Sequence, residues 1–310
     1  MKLSIGSWAY TIGPYSHRPI EFDTVCSKLA EYGFDGVELG GFTPHPNPDD
    51  LPEKSQRQDV VDKVKSYGLE ISGLAANLWG ENLINATDNC GKYISEFKKN
   101  INFCVDLGIK TIRVDTVQPP TIFSEVDYAT AKKRVVNTWK TCCDIAADND
   151  LLVTWEAEPG FAFNKYSEII EILHAVDKDN FGLLYDTCHG QMIGVVGARQ
   201  NGEKETFGIS QVEYLKKVRD FINHVHIIDS DNTCHKDANG NDETSAHPPL
   251  GNGILNFDQI IPELNKINLK YGWWTIDLCY WKQAWDATKS CKKYLDKYTN
   301  LYASGLSGVL

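Results

Sequence analysis

Leu151-Leu152-Val153-Thr154-Trp155-Glu156 and Gly182-Leu183-Leu184-Tyr185-Asp186 are two short apolar runs that each finish on a carboxylate. Similar runs recur at Leu3 to Ala9, Gly36 to Leu39, Glu70 to Leu74, Thr111 to Asp115, His224 to Asp229 and Trp273 to Leu278. Between them lie amphipathic stretches such as Phe22, Val25, Cys26, Leu29, Ala30 and Val60, Val61, Val64, whose i, i+3, i+4 spacing marks one buried stripe of a helix. Buried strands alternating with such helices are the pattern of βα units around a parallel sheet. Several helical stretches end alike, in Tyr32-Gly33-Phe34, Tyr67-Gly68-Leu69, Leu107-Gly108-Ile109 and Tyr271-Gly272-Trp273, where glycine supplies a left-handed cap before the next strand. Neither GxGxxG nor GxxxxGK[ST] follows any strand, so the phosphate loop of an open, doubly wound sheet is missing. Eight repeats predict closure. The fold class is α/β, a single (β/α)8 barrel over residues 1–310, with long loops after strand six (190–211) and strand seven (230–256) at its C-terminal mouth.

Composition narrows the partners. Of 310 residues, 42% are hydrophobic and 24% charged, as in ordinary globular proteins, and the formal net charge of -11 opposes a nucleic-acid ligand, which needs a Lys/Arg surplus on one face. A small neutral sugar or glycoside is the easier partner. No stretch approaches the roughly 20 apolar residues that span a bilayer. The N-terminus Met1-Lys2-Leu3-Ser4-Ile5-Gly6-Ser7-Trp8 runs straight into a strand without a signal-like apolar segment, so no membrane association and a cytoplasmic location are expected. Nine cysteines, an odd number without a CxxC pair, read as reduced core thiols.

In a parallel barrel, residues at the C-terminal ends of different strands meet in space. Late strands finish with Glu156, Asp186, His226 and Asp277. Three carboxylates in one partly desolvated mouth repel one another at a cost of several kcal/mol unless protons or a cation neutralise them. Oxygen-rich ligation with one nitrogen suits a divalent ion such as Mn²⁺, with Mg²⁺, Co²⁺, Fe²⁺ and Zn²⁺ as alternatives. The duller reading, in which each acid only caps the next helix, becomes harder to sustain over four strands. Glu158 shares strand parity with Glu156, so either can be the ligand; Glu156 is preferred because it ends the alternation Leu152, Thr154, Glu156.

The order Glu, Asp-x-x-His, His-x-x-Asp and a final acidic residue resembles the xylose isomerase-like TIM barrels, the sugar phosphate isomerase and epimerase superfamily. The likeness spans nearly the whole chain, and by it the metal ligands are Glu156, Asp186, His226 and Asp277. Asp277 departs from the family's usual Glu, and its shorter arm would lengthen one bond or admit a water. The segments Trp155 to Phe161, Gly197-Ala198-Arg199-Gln200, Ile228-Asp229-Ser230-Asp231, Thr244-Ser245-Ala246-His247 and Trp273 to Cys279 are similar to a subgroup that resembles the large subunits of bacterial C-glycoside deglycosidases. That resemblance implies carbon-carbon bond cleavage of a 3-oxo-C-glycoside beside a small β-rich partner subunit. A ketose 3-epimerase or aldose-ketose isomerase, self-sealed as a homo-oligomer, is the alternative. A non-catalytic sugar-binding barrel is the alternative from another class, and an endonuclease is disfavoured by the acidic charge.

A metal that chelates a ketone and its neighbouring hydroxyl acidifies the α C-H and needs a nearby base. His189, three residues past Asp186, is the preferred acid or base, with Glu158 as its rival; a histidine that only orients a ligand is the plainer reading. Glu38, ending the second strand, is expected to bind sugar hydroxyls. Trp8, Trp79 and Trp281 follow strands, where aromatic faces stack on a sugar ring or aglycone, although each alone is as easily a core residue. Asp229 and His247, from the seventh strand end and its loop, complete the substrate-binding set.

Overall fold

The computed structural model describes residues 1–237 and 239–303, with side chains placed up to 298; residue 238 of the second long loop and residues 304–310 of the expected barrel lie outside the described residues. Eight parallel strands close into a barrel: β1 (Lys2–Gly6), β2 (Gly36–Leu39), β3 (Glu70–Ala75), β4 (Thr111–Val114), β5 (Leu152–Glu156), β6 (Phe181–Asp186), β7 (Ile222–Ile227) and, after a two-stranded hairpin β8 (Cys234–Lys236) and β9 (Asp242–Ser245), β10 (Trp273–Ile276). Each barrel strand pairs with its sequence neighbours in the barrel, and β10 returns to β1, so no barrel edge is left open.

Helices α1 (Phe22–Glu31), α2 (Lys54–Ser66), α3 (Gly91–Leu107), α4 (Tyr128–Ala147) and α5 (Tyr166–Val176) follow the first five strands. They are placed by the apolar stripes read in the sequence; α1, for instance, buries Val25, Cys26 and Leu29. Gly33, Gly68, Gly108 and Gly272 all adopt the left-handed conformation that the helix-to-strand turns require, with φ between 67° and 75°. The apolar core lies between barrel and helices, where Trp139 of α4 meets Trp155 of β5 at 5.1 Å between ring centres. Among the described residues no cysteine is in a disulfide; all nine thiols are free, seven of them buried. No helix of the described residues is long and apolar enough to cross a membrane.

The long connections carry structure of their own. The expected loop 190–211 begins inside a short helix α6 (Thr187–Gln191), continues as one π-helical turn (Met192–Val196), and leads to α7 (Val212–Val218). The segment 230–256 folds back as the β8–β9 hairpin before α8 (Phe257–Leu264); α9 (Ala284–Ala303) follows the last strand. Several strands stop short of their apolar runs: Ser7–Tyr10 turns into a 3₁₀ helix after β1, Asp115 lies past β4, Ile228 and Asp229 past β7, and Asp277 and Leu278 past β10.

Inside the barrel the packing is partly polar. Ser4 and Thr275 are fully buried and hydrogen-bonded to each other at 2.8 Å. Thr275 pairs in register with His226, and His226 with Asp186, so one layer of the interior already points toward the cluster above it.

Candidate metal centre and its cavity

Glu156, Asp186, His226 and Asp277 converge at the C-terminal mouth. One oxygen or nitrogen from each lies within 4.8 Å of all the others, and all four residues are buried. Asp186 caps α6, its Oδ1 accepting the His189 backbone N–H at 2.7 Å, which leaves Oδ2 without a partner. Asp277 Oδ1 accepts from Trp8 Nε1 at 2.6 Å, leaving Oδ2 aimed at the cluster, 3.9 Å from His226 Nδ1. The shorter aspartate arm therefore still reaches. Glu156 Oε1 lies 3.0 Å from His226 Nδ1, while Oε2 has the Arg113 Nε at 2.8 Å but too poorly aligned for a hydrogen bond. Buried carboxylate oxygens without donors are rare and costly. Gathered with a ring nitrogen within 4.8 Å of one another, they form a group of the kind that could hold a hard divalent ion.

The electrostatics agree. Burial, with Asp277 and Glu156 adding repulsion, pushes the Asp186 carboxyl well above the ordinary aspartate range. Burial alone would lower His226, but Glu38 and Glu156 on its two sides hold it well above the usual histidine value.

Glu38 is elsewhere than expected. It is 1% exposed and sits below the cluster, not in the cavity: Oε2 lies 2.9 Å from His224 Nε2 and accepts from Thr275 Oγ1 at 2.5 Å, and Oε1 lies 3.1 Å from His226 Nε2. Burial pushes this carboxyl up, yet His226 and His224 together hold it well below the usual range. It holds the His226 and His224 rings and does not line the cavity where a sugar was expected to meet it. The absence of a side chain at Gly73 makes room for it, since a Cβ there would stand 3.3 Å from the carboxyl carbon.

Asp229 is also displaced from its expected role. Its carboxylate accepts the backbone N–H groups of Ser230, Gly251, Gly253 and Leu255 at 2.9 to 3.0 Å, so it ties the two ends of the 230–256 loop together. Trp281 packs half-buried on the apolar core and does not line the cavity. Trp8 and Trp79 do line it, Trp79 being 53% exposed at the rim with its Nε1 donating to Asp115 at 2.8 Å.

Beside the cluster opens a cavity of about 1000 Å³, walled by Phe42, Trp79, Phe161, Arg199 and Tyr280 and reached by Glu156, Glu158 and Asp277. His189 and Glu158 stand side by side on one flank, Nε2 to Oε2 3.7 Å. His189 Nδ1 is 2.9 Å from Ser245 Oγ, and Thr244 Oγ1 donates to Glu158 at 2.7 Å, so β9 fixes both. Burial first, then His247 and Arg113, hold His189 well below the usual histidine value. Burial pushes Glu158 up to about 8, Arg113 opposing at 2.6 Å and Glu156 adding to the rise. His247 is buried 3.5 Å from Asp277.

Arg113 was not expected from the sequence. It bridges Glu156, Glu158 and Asp115, and its signal was a lone cation inside the apolar run Thr111 to Asp115. His224, Thr244 and Ser245 were likewise unassigned.

In curated comparisons the chain is similar to a 3-dehydroshikimate dehydratase of Bacillus anthracis, 24% identical over 263 residues that make up 81% of this chain and 84% of that one. Among solved structures it resembles the IOLI protein with a bound zinc atom (TM-score 0.70, 20% identity, covering 96% of this chain and 97% of that one). It also resembles the 3-keto-D-glucoside 4-epimerase YcjR from E. coli (TM-score 0.67, 16% identity, 96% and 99% covered). A family model described as xylose isomerase-like TIM barrel matches residues 26–297, and with the closed barrel this places the chain in the xylose isomerase-like TIM barrel family.

Proposed function

We propose that this protein is a divalent-metal-dependent enzyme that removes a proton next to the carbonyl of a 3-oxo-glycoside and expels the aglycone, cleaving a carbon-carbon bond of a 3-oxo-C-glycoside. The observation that carries the reading is the pair His189 and Glu158, 3.7 Å apart beside the four-ligand cluster, with opposite protonation tendencies. Groups whose surroundings push their affinities for protons apart divide into base and acid. The neutral imidazole of His189 takes the proton from the carbon between the ketone and the glycosidic carbon. The bond to the aglycone then breaks, its electron pair leaving with the aglycone carbon, and the Glu158 carboxyl returns a proton there. Arg113 and Thr244 hold Glu158 in place for this. A divalent ion held by Glu156, Asp186, His226 and Asp277, with Mn²⁺ the first candidate, supplies the electrophile that makes the α proton acidic.

Two further observations favour a glycoside over a free ketose. The cavity lies at the upper end of the roughly 300–1,000 Å³ range of small-molecule sites, with room for a sugar and an aglycone, and Trp79 and Tyr280 offer aromatic faces at its rim. Elimination is supported by the relative that is a dehydratase, and a 3-keto sugar by the 3-keto-D-glucoside 4-epimerase of the same fold. The same exposed rim is where a small β-rich partner chain would sit.

Purified protein reconstituted with Mn²⁺ is incubated with 3-oxo-C-glycosides and with unmodified ketoses, alone and with any co-encoded small chain, and products are identified by mass and NMR in D₂O. Release of free aglycone, with solvent deuterium at its released carbon and, where proton removal is reversible, at the α carbon of recovered substrate, is expected. Epimerisation of a ketose by the chain alone, with no aglycone release, replaces this reading with the ketose 3-epimerase or isomerase one. Sugar binding without turnover replaces it with the binding barrel.

A further inference from the structure

His247 is the least satisfied polar side chain of the site. It is 4% exposed, yet neither ring nitrogen has a hydrogen-bond partner. Its Nε2 stands 3.5 Å from Asp277 Oδ2 and 4.0 Å from Asp186 Oδ1, beyond hydrogen-bond reach of the second and at the margin of the first. Its ring neighbours are His189, edge-on at 4.9 Å, and His235 at 6.4 Å, and neither supplies a partner atom. Buried imidazoles are ordinarily paired through at least one nitrogen. The 3.5 Å separation from Asp277 Oδ2, the oxygen that faces the cluster, has a simple reading: two donors that each approach one ion to about 2.0–2.2 Å lie about 3 Å apart when adjacent and about 4 Å apart when opposite.

The chain holds His247 at this point firmly on both sides. On its N-terminal side, Ser245 Oγ meets His189 Nδ1 at 2.9 Å, Cys188 Sγ donates to the Ala246 carbonyl, and Ala246 N–H donates to Thr233. On its C-terminal side, Pro248-Pro249 restricts the backbone, and Gly251 and Gly253 are fixed by Asp229. The imidazole is therefore delivered to the cluster from outside the barrel.

We propose that His247 is a ligand of the same divalent ion, supplied by the 230–256 loop to complete the set from the strand ends. The inference rests on the metal reading above and adds to it a second nitrogen ligand and a coupling between loop and ion: whatever orders the hairpin tightens the ion, and the ion orders the hairpin.

Pulsed EPR of Mn²⁺-loaded protein, with natural and ¹⁵N-labelled histidine, counts the coordinating imidazoles, and Mn²⁺ titration gives Kd. Two imidazoles are expected in the substrate-free protein, one after His247→Gln, with Kd raised at least about tenfold and the circular dichroism melt retained; His235→Gln should leave both imidazoles in place. A single imidazole in the unaltered protein overturns the proposal, and this count decides even if His247→Gln fails to fold. Failure to bind Mn²⁺ at all overturns the metal reading together with it, whereas a bound ion with one imidazole overturns this proposal alone.

Discussion

Replacing Glu38 by glutamine tests how the site is held from below. The carboxylate serves three groups: His226 Nε2 through Oε1, and His224 Nε2 and Thr275 Oγ1 through Oε2. An amide of the same shape keeps one acceptor oxygen and presents an NH₂ where the other stood. If the NH₂ faces His226, that ring must accept at Nε2 and carry its proton on Nδ1, the nitrogen that has to ligate the ion. If it faces His224 and Thr275, His226 keeps its tautomer but loses a charged acceptor, a bond worth about 1.5–3 kcal/mol against about 0.5–1.5 kcal/mol for a neutral one. The difference of roughly 1–2 kcal/mol corresponds to about 5- to 30-fold, overlapping the lower part of the 10- to 100-fold range for groups that orient metal ligands. Glu38→Gln should therefore bind Mn²⁺ about 10- to 100-fold more weakly by calorimetric titration while remaining folded. An unchanged Kd would show that Glu38 does not orient the ligand.

Three further outcomes follow from the same geometry. His189→Asn should lower kcat by about 10²- to 10⁴-fold with the metal content unchanged, measured by turnover and elemental analysis; unaltered kinetics would shift the proton transfer to Glu158 alone. Asp229→Ala removes the acceptor of four backbone N–H groups and should cost roughly 3 kcal/mol, seen as a fall of several degrees in Tm and faster proteolysis within 230–256, and an unchanged melt would contradict its place as the loop tie. In metal-free protein, Glu158 is raised from 4.5 to about 8 and His226 lies well above 6.5, so both bind more protons folded than unfolded between pH 6.5 and 8. Stability should fall as pH rises above about 7, where the unfolded His189 and His247 imidazoles, held low in the folded chain and working the other way near pH 6.5, have given up their protons; saturating Mn²⁺ should lessen or reverse the fall, and a metal-free Tm that rises between about pH 7 and 8 would refute the assignment.

The barrel was legible in the sequence because its signals are local. Strand runs, helix stripes and glycine caps are each written within a dozen residues, and Gly33, Gly68, Gly108 and Gly272 all adopt the left-handed conformation they announced. The convergence of Glu156, Asp186, His226 and Asp277 was legible because closure alone brings consecutive strand ends together. Depth within the barrel was not. Glu38 stands near the end of its strand like the others, yet its carboxylate is taken up by the Nε2 atoms of His224 and His226 and not by the cavity, and nothing in Val37-Glu38-Leu39 records that. Asp229 was misplaced for a related reason: the N–H groups it accepts come from residues up to 26 positions later, in a loop whose path has no periodic signature. Arg113 carried a readable signal, a cation in an apolar strand, but its three carboxylate partners belong to β5 and to the turns after β4 and β5.

The most direct test of the account is anomalous diffraction at the manganese edge from crystals grown with Mn²⁺. It should show an ion bonded to Glu156, Asp186, His226 Nδ1 and Asp277 at about 2.0–2.3 Å, with Glu38 on the far side of the His226 ring. An ion held by Glu158 in place of Glu156, or no ion at the strand ends, would contradict it.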